Sequence, residues 1–209
     1  MFRTVTLDPP WAESGGGKIK RGADRHYGLM KVKDIAKLLL EDCPPLQQVA
    51  TDAAHAYMWY TDNYLKDALW LLEQIGFRYV RTFQWVKVKG RPMRLDFDSG
   101  LAVELEADED PALRCGIGQY GRGAHEGMLF GVRGKGQSDL VYQPNRDVPS
   151  AFLAPHPVDA SGKRIHSRKP DASYELIQRR SKGPYLELFA RRQYGPDWTC
   201  WGNEVPEAA

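Results

Sequence analysis

The order of apolar segments along the chain constrains its fold more than any other feature. Short apolar runs typical of buried strands alternate with segments of helical periodicity. This alternation favours an α/β fold with an open, mostly parallel sheet, helices on both faces and right-handed crossovers. Strands are predicted at 2–7, 56–60, 79–88, 128–132, 140–142 and 185–189, with a candidate edge strand at 198–201, and helices from about residue 31, at 63–75 and at 170–180.

The segments around these elements carry local signals of their own. Asp62 or Asn63 is expected to cap the helix at 63–75, and Gly76 is expected to end it. Residues 90–118 break the alternation and contain an acidic run, so an inserted loop or hairpin is predicted there. Residues 144–166 read as a proline-rich connection. A length of 209 residues then fits a single domain, 1–209.

Charge and cysteine content limit the classes of function. Lys and Arg total 29 against 27 for Asp and Glu, so any nucleic-acid contact has to come from local basic patches. The three cysteines are far apart, which fits neither a disulfide framework nor a metal site and favours a reducing compartment. The sequence shows no leader pattern and no apolar run of the roughly 18 residues that a membrane span needs. A cytoplasmic protein without membrane contact is therefore expected.

The sharpest chemical signal is Asp8-Pro9-Pro10-Trp11, which follows the first predicted strand directly. An aromatic amine is a poor nucleophile because its lone pair is delocalised into the ring. The Asp8 carboxylate and the Pro9 carbonyl are suited to accept its two hydrogens and to aim its lone pair at a methyl group. Trp11 is expected to stack on a flipped or single-stranded base. The plainer alternative is a rigid turn that ends a strand, with a buried Trp.

Four blocks of sequence, in the same order, resemble the MT-A70 family. That family comprises the catalytic subunits of messenger-RNA adenosine methyltransferases and their bacterial and phage DNA adenine methyltransferase relatives. The blocks are 8–11 (DPPW) with 26–30 (HYGLM); 85–87 (WVK); 125–126 (HE) with 131–134 (GVRG); and 166–170 (HSRKP) with 187–191 (ELFAR) and 201–204 (WGNE). The resemblance implies a Rossmann-like class I methyltransferase fold in permuted order, with the catalytic turn before the cofactor strand.

The resemblance also implies S-adenosylmethionine as cofactor and the exocyclic amine of adenine as target. The predicted mechanism is direct in-line methyl transfer without a metal. Lys169 would bind the methionine carboxylate, Glu187 the ribose hydroxyls, and Asn203 and Glu204 the cofactor's adenine. The implied cofactor site comprises Asp8, Lys169, Glu187, Phe189, Arg191, Asn203 and Glu204. Surface or turn roles remain the alternatives for Lys169, Asn203 and Glu204.

The resemblance further implies roles near the target base. Tyr27 resembles an active-site-loop aromatic and joins Asp8, Pro9, Pro10 and Trp11 as catalytic, with a packing anchor as its alternative. Glu126 resembles a near-site acid, with a solvent-facing strand residue as its alternative. The candidate substrate contacts are Trp11, Lys18, Lys20, Arg21, Arg25, Tyr120, Arg122 and Glu126. The basic loop residues among them fit a solvated loop equally well.

Nucleic acid is the expected partner, with DNA favoured over RNA because the short form resembles the phage and bacterial members. The insert at 90–118 is the candidate target-recognition element, and the chain is expected to be a monomer or a homodimer. Adenine methylation of RNA remains open, as do a cytosine-amine methyltransferase, a protein-glutamine methyltransferase and a non-catalytic nucleic-acid-binding subunit. The triple glycine at 15–17 lacks the spacing of a phosphate-binding loop, so nucleotide hydrolysis is not expected.

Overall fold

Seven strands form one mixed sheet in the order β5-β3-β4-β2-β1-β6-β7. The structure is a computed structural model and describes residues 1–12, 28–42, 45–89, 113–115, 122–134 and 148–205. The strands are β1 (Phe2–Leu7), β2 (Ala50–Tyr60), β3 (Arg78–Lys87), β4 (His125–Arg133), β5 (Ala151–Ala154), β6 (Tyr185–Leu188) and β7 (Trp198–Trp201).

The strand directions make the sheet mostly parallel. β1 is parallel to both β2 and β6, β6 to β7, and β3 to β5, whereas β4 runs antiparallel to β2 and β3. β1 therefore lies between β2, which follows it in the described part of the chain, and β6, which comes from much later in the sequence. In open α/β sheets, ligands bind beside the carboxyl ends of strands at such a switch point. The strand order thus places the site next to the end of β1.

Helices pack on both faces of the sheet. They are α1 (Val32–Lys37), which continues as a π-helical turn at Leu38–Asp42, α2 (Leu46–Val49), α3 (Leu65–Gln74), preceded by a 3₁₀ turn at Asp62–Tyr64, and α4 (Asp171–Arg180). Helices α1 to α3 bury Ile35 and Leu71 against one face, and α4 buries Leu176 against the other. None of the described helices is long and apolar enough to span a membrane.

The α/β class, the mostly parallel sheet and the helices on both faces are confirmed. The candidate edge strand at 198–201 forms β7. One expectation is wrong: the connection predicted at 144–166 contains β5, which pairs with β3. β5 has four residues, Ala-Phe-Leu-Ala, and its identity as a strand comes from that distant partner and not from a local pattern.

The helix at 63–75 also departs from its prediction at its start. A 3₁₀ turn begins at Asp62, and neither that turn nor α3 has a side-chain cap hydrogen bond, so the capping role of Asp62 or Asn63 is wrong. Gly76 follows the helix with φ +87°, a left-handed conformation that suits glycine at a helix end. The strand predicted at 140–142 and most of the insert at 90–118 lie outside the described residues.

Candidate active site

The Asp8-Pro9-Pro10-Trp11 turn lies at the carboxyl end of β1, as its sequence predicts. The Asp8 N–H donates to the Leu188 carbonyl of β6 at 3.3 Å. The Pro10 carbonyl accepts the Met30 N–H at 2.9 Å. Proline contributes no N–H, so the turn presents oxygen acceptors. The Pro9 carbonyl already accepts the Trp11 N–H at 2.9 Å, and its second lone pair remains for another donor.

The Trp11 side chain anchors this turn in the core. Its ring is 5% exposed and stacks on Tyr64, with centroids 5.4 Å apart. Its indole N–H donates to the Trp59 carbonyl at 3.1 Å, and the Tyr64 hydroxyl donates to the Ala12 carbonyl at 2.6 Å. Trp11 therefore forms a wall behind the turn, and the base contact expected of it stays a prediction.

An alternating chain of charges runs from β3 to the turn. The Lys87 ammonium lies 2.7 Å from one carboxylate oxygen of Glu126, and Lys169 lies 3.0 Å from the other. Lys169 also lies 3.1 Å from Asp8, and its ammonium is 5.1 Å from the centre of the Trp59 ring. Lys169 is expected to bind the cofactor carboxylate, but the structure places it between two carboxylates of the protein. Its third N–H remains for another acceptor.

Burial and charge pairing oppose each other in this chain. Burial alone raises the pKa of Glu126, but Lys169 and Lys87 outweigh it and lower that pKa to about 2. Burial lowers the pKa of Lys169, whereas Asp8 and Glu126 raise it above its usual value. Burial raises the pKa of Asp8 above 3.8, and Lys169 opposes that rise. Lys169 is thus the cation that favours the ionised form of both acids.

A cleft of about 660 Å³, including its open mouth, adjoins the turn. The structure brings together here the predicted site residues Asp8, Pro10, Phe189, Arg191, Asn203 and Glu204. The carboxylate predicted to hold the amine therefore faces the same cavity as residues predicted to hold the cofactor.

The far wall of the cleft is built from two loops that follow β6 and β7. Arg191 forms a paired contact with Glu204, with both nitrogen-oxygen distances at 2.9 Å, and also donates to the His166 carbonyl. The Ala190 N–H donates to the Trp201 carbonyl at 2.9 Å. Gly202 lies so close to this wall that a Cβ there would meet the Ala190 oxygen at 2.0 Å.

Two strained residues line the cleft. Ser167 and Phe189 have φ values of +58° and +62°, which non-glycine residues adopt rarely. Among the described residues they are the only non-glycine residues with positive φ, and both lie in the cleft wall. Strain of this kind clusters at ligand sites, where surrounding structure holds it. Ser167 has no predicted role, and a positive φ at a non-glycine residue leaves no signal in a single sequence.

Glu187 lies behind the cleft and is not part of its lining. It is 5% exposed, accepts the Tyr174 hydroxyl at 2.8 Å, and has the Cys200 sulfur at 3.7 Å. Burial raises the pKa of Glu187 to about 7, although both contacts oppose the rise. The ribose contact expected of Glu187 stays a prediction.

The remaining predicted residues divide into two groups. Arg122 is described, is exposed, and lies just before β4. Tyr27, Lys18, Lys20, Arg21, Arg25 and Tyr120 lie outside the described residues. Lys87 belongs to the 85–87 block but has no predicted role, since the sequence alone does not show its partner Glu126.

A mostly parallel seven-stranded sheet, helices on both faces and a cleft at the carboxyl end of β1 give the chain the α/β architecture of Rossmann-like methyltransferases. The MT-A70 family model matches residues 2–204, so the chain belongs to the MT-A70 family. The family is one of S-adenosylmethionine-dependent adenine methyltransferases. The comparison with curated proteins finds no match.

Proposed function

We propose that this protein methylates the exocyclic amine of adenine in DNA and that the turn at residues 8–11 holds that amine. The observation that carries this proposal is the position of Asp8, which directly follows β1 and lines the 660 Å³ cleft. A carboxylate is the acceptor that an amine needs, and a neighbouring cleft gives room for a methyl donor.

The lining of the cleft suits the chemistry of S-adenosylmethionine. The molecule carries apolar, cationic and hydrogen-bonding parts, and the lining offers the aromatic Phe189, the carboxylate of Asp8 and the amide of Asn203. Phe189 adopts a positive φ, and a side chain at Gly202 would collide with the Ala190 backbone. The backbone itself therefore shapes this wall of the cleft. We assign Phe189, Arg191, Asn203 and Glu204 to hold the donor, with Arg191 and Glu204 keeping its two loops together.

In the mechanism that we propose, Asp8 and the Pro9 carbonyl each accept one hydrogen of the adenine amine. These contacts turn the nitrogen lone pair away from the ring and fix its direction. Lys169 holds the Asp8 carboxylate at 3.1 Å and favours its ionised form. S-adenosylmethionine, when bound, supplies an electrophilic methyl group on a sulfonium for direct in-line transfer. Asp8, the ionised acceptor of one amine hydrogen, then takes the proton that the methylated amine loses.

DNA as substrate rests on the resemblance of this chain to bacterial and phage members. RNA shares the phosphodiester backbone and the adenine amine, and cytosine carries a comparable exocyclic amine. The deciding experiment supplies the protein with tritiated S-adenosylmethionine and, side by side, duplex DNA, single-stranded DNA and RNA. Digestion of the products and mass spectrometry should find the label in N6-methyladenine from DNA. Label in RNA alone, in cytosine or in protein would overturn the substrate that we propose.

A further inference from the structure

Four basic side chains lie near the ends of β3 and β5, outside the cleft: those of Lys87, Arg114, His156 and Arg164. Lys87 is the last residue of β3, and its carbonyl accepts the Arg114 N–H at 2.8 Å. Lys87 also pairs in register with Ala154, the last residue of β5, so His156 follows at the same corner. A bridge between Val158 and Arg164 returns the chain to this place.

Aromatic packing and hydrogen bonds hold the residues of this corner in place. The His156 ring packs against Trp85 in a T-shaped arrangement, with ring centroids 5.1 Å apart, and is only 7% exposed. The Trp85 indole N–H donates to the Ala154 carbonyl at 2.8 Å, which locks β3 to β5. The Ile165 N–H donates to the Pro157 carbonyl at 2.9 Å and closes the hairpin that carries Arg164.

Positive charge at this corner is only partly compensated. Within the described residues, the Arg164 Nε is buried and has no hydrogen-bond partner. Burial, followed by the charges of Arg164, Lys87 and Arg114, lowers the pKa of His156 to about 4. Glu126 acts in the opposite direction, but both of its oxygens already contact lysines. The corner is therefore suited to an anion.

We propose that Arg114, His156 and Arg164 form a subsite for a backbone phosphate of the nucleic-acid substrate, beside the target nucleotide. This inference rests on the proposed function for the identity of its ligand. A guanidinium group can donate two parallel N–H hydrogen bonds to two phosphate oxygens, and a neutral imidazole adds one N–H donor. Lys87 links the subsite to the turn, because its partner Glu126 shares Lys169 with Asp8. A phosphate held here adds affinity without reading sequence.

The test measures the affinity of a short fluorescent oligonucleotide by anisotropy, without a methyl donor, for the wild type and for Arg164→Gln. Duplex DNA, single-stranded DNA and RNA of one sequence form its arms. Loss of one charged contact predicts about tenfold weaker binding. The slope of log affinity against log salt concentration should also be shallower by about one. Arg78→Gln is the matched control, because Arg78 opens the ten-residue β3, about 30 Å from Lys87.

Equal affinity of wild type and Arg164→Gln, or an equal loss in Arg78→Gln, would contradict the subsite. If Arg164→Gln fails to fold, Arg114→Gln gives the same test, since Arg114 is exposed. The binding readout needs no turnover. If the affinity depends on Arg164 but the protein does not methylate adenine, the proposed function is contradicted and the subsite is not. If the protein methylates adenine but its oligonucleotide affinity is unchanged in Arg164→Gln and Arg114→Gln, the subsite is contradicted and the proposed function is not.

Discussion

Lys169 shows how a single residue links the parts of the site. Its ammonium contacts Asp8 and Glu126 and lies over the Trp59 ring, while only 11% of its side chain is exposed. A buried cation needs such partners, and a buried carboxylate needs the cation equally. Glu126 therefore acts on Asp8 through Lys169, and we expect it to be a positioning residue.

Glu126→Gln tests this positioning role. Loss of one carboxylate frees Lys169 to move toward Asp8 and alters the aim of the acceptor. We expect kcat for adenine methylation to fall by about tenfold or more, because small misplacements at a reacting centre are costly. The Kd for S-adenosylmethionine, measured by calorimetry, should stay close to that of the wild type. A large loss of cofactor affinity with unchanged kcat would assign Glu126 to the cofactor instead.

Glu187 makes stability depend on pH. With its pKa raised from 4.5 to about 7, the folded state keeps a proton that the unfolded state releases, so stability falls as pH rises from about 4.5 to 7. Glu187→Gln has no such proton. The free energy of unfolding of the variant relative to wild type should therefore rise by about 2–3 kcal/mol between pH 5 and 8. Urea unfolding at both pH values measures it, and a difference that does not change with pH would contradict the buried acid.

The loops after β6 and β7 form the cleft wall, and Gly202 permits their close approach. In Gly202→Ala, the new Cβ would meet the Ala190 backbone and force the loops apart. We expect a loss of about 1–3 kcal/mol in stability from this overpacking. We also expect clearly weaker binding of S-adenosylmethionine.

Gly123→Ala is the control for that change, because a Cβ at Gly123 meets nothing within 4 Å. Thermal unfolding and calorimetric titration of both variants provide the measurements. Cofactor affinity that is equal in Gly202→Ala and wild type would show that this wall does not form the donor site.

Elements with strong local patterns could be predicted from the sequence, and those defined by partners could not. β1 and α4 lie where the sequence places them, because β1 is a short run of Val, Thr and Leu and α4 starts at the helix-favouring Pro170 and Asp171. β5 is short and exists through its pairing with β3, so local pattern missed it. In the site, the Asp8 turn could be predicted because its residues are consecutive. The chain of Lys87, Glu126 and Lys169 joins three distant segments, and only the fold brings them together.

The central position of β1 in the sheet organises the site. β1 lies between β2 and β6, so its end faces the cleft on one side and the ion chain on the other. The net charge of only +2 makes local placement of cations decisive for a polyanionic substrate. The turn, the cleft and the basic corner beyond Glu126 then follow one edge of a single sheet.

The most direct measurement is single-turnover methyl transfer to adenine-containing DNA by the wild type and by Asp8→Asn. The amide keeps the shape of the side chain but removes the negative charge and replaces one acceptor oxygen with a donor. We expect the transfer rate to fall by at least about a hundredfold, comparable to loss of an oxyanion-hole donor, with S-adenosylmethionine still bound. Transfer at the wild-type rate in Asp8→Asn would contradict the claim that this carboxylate holds the amine.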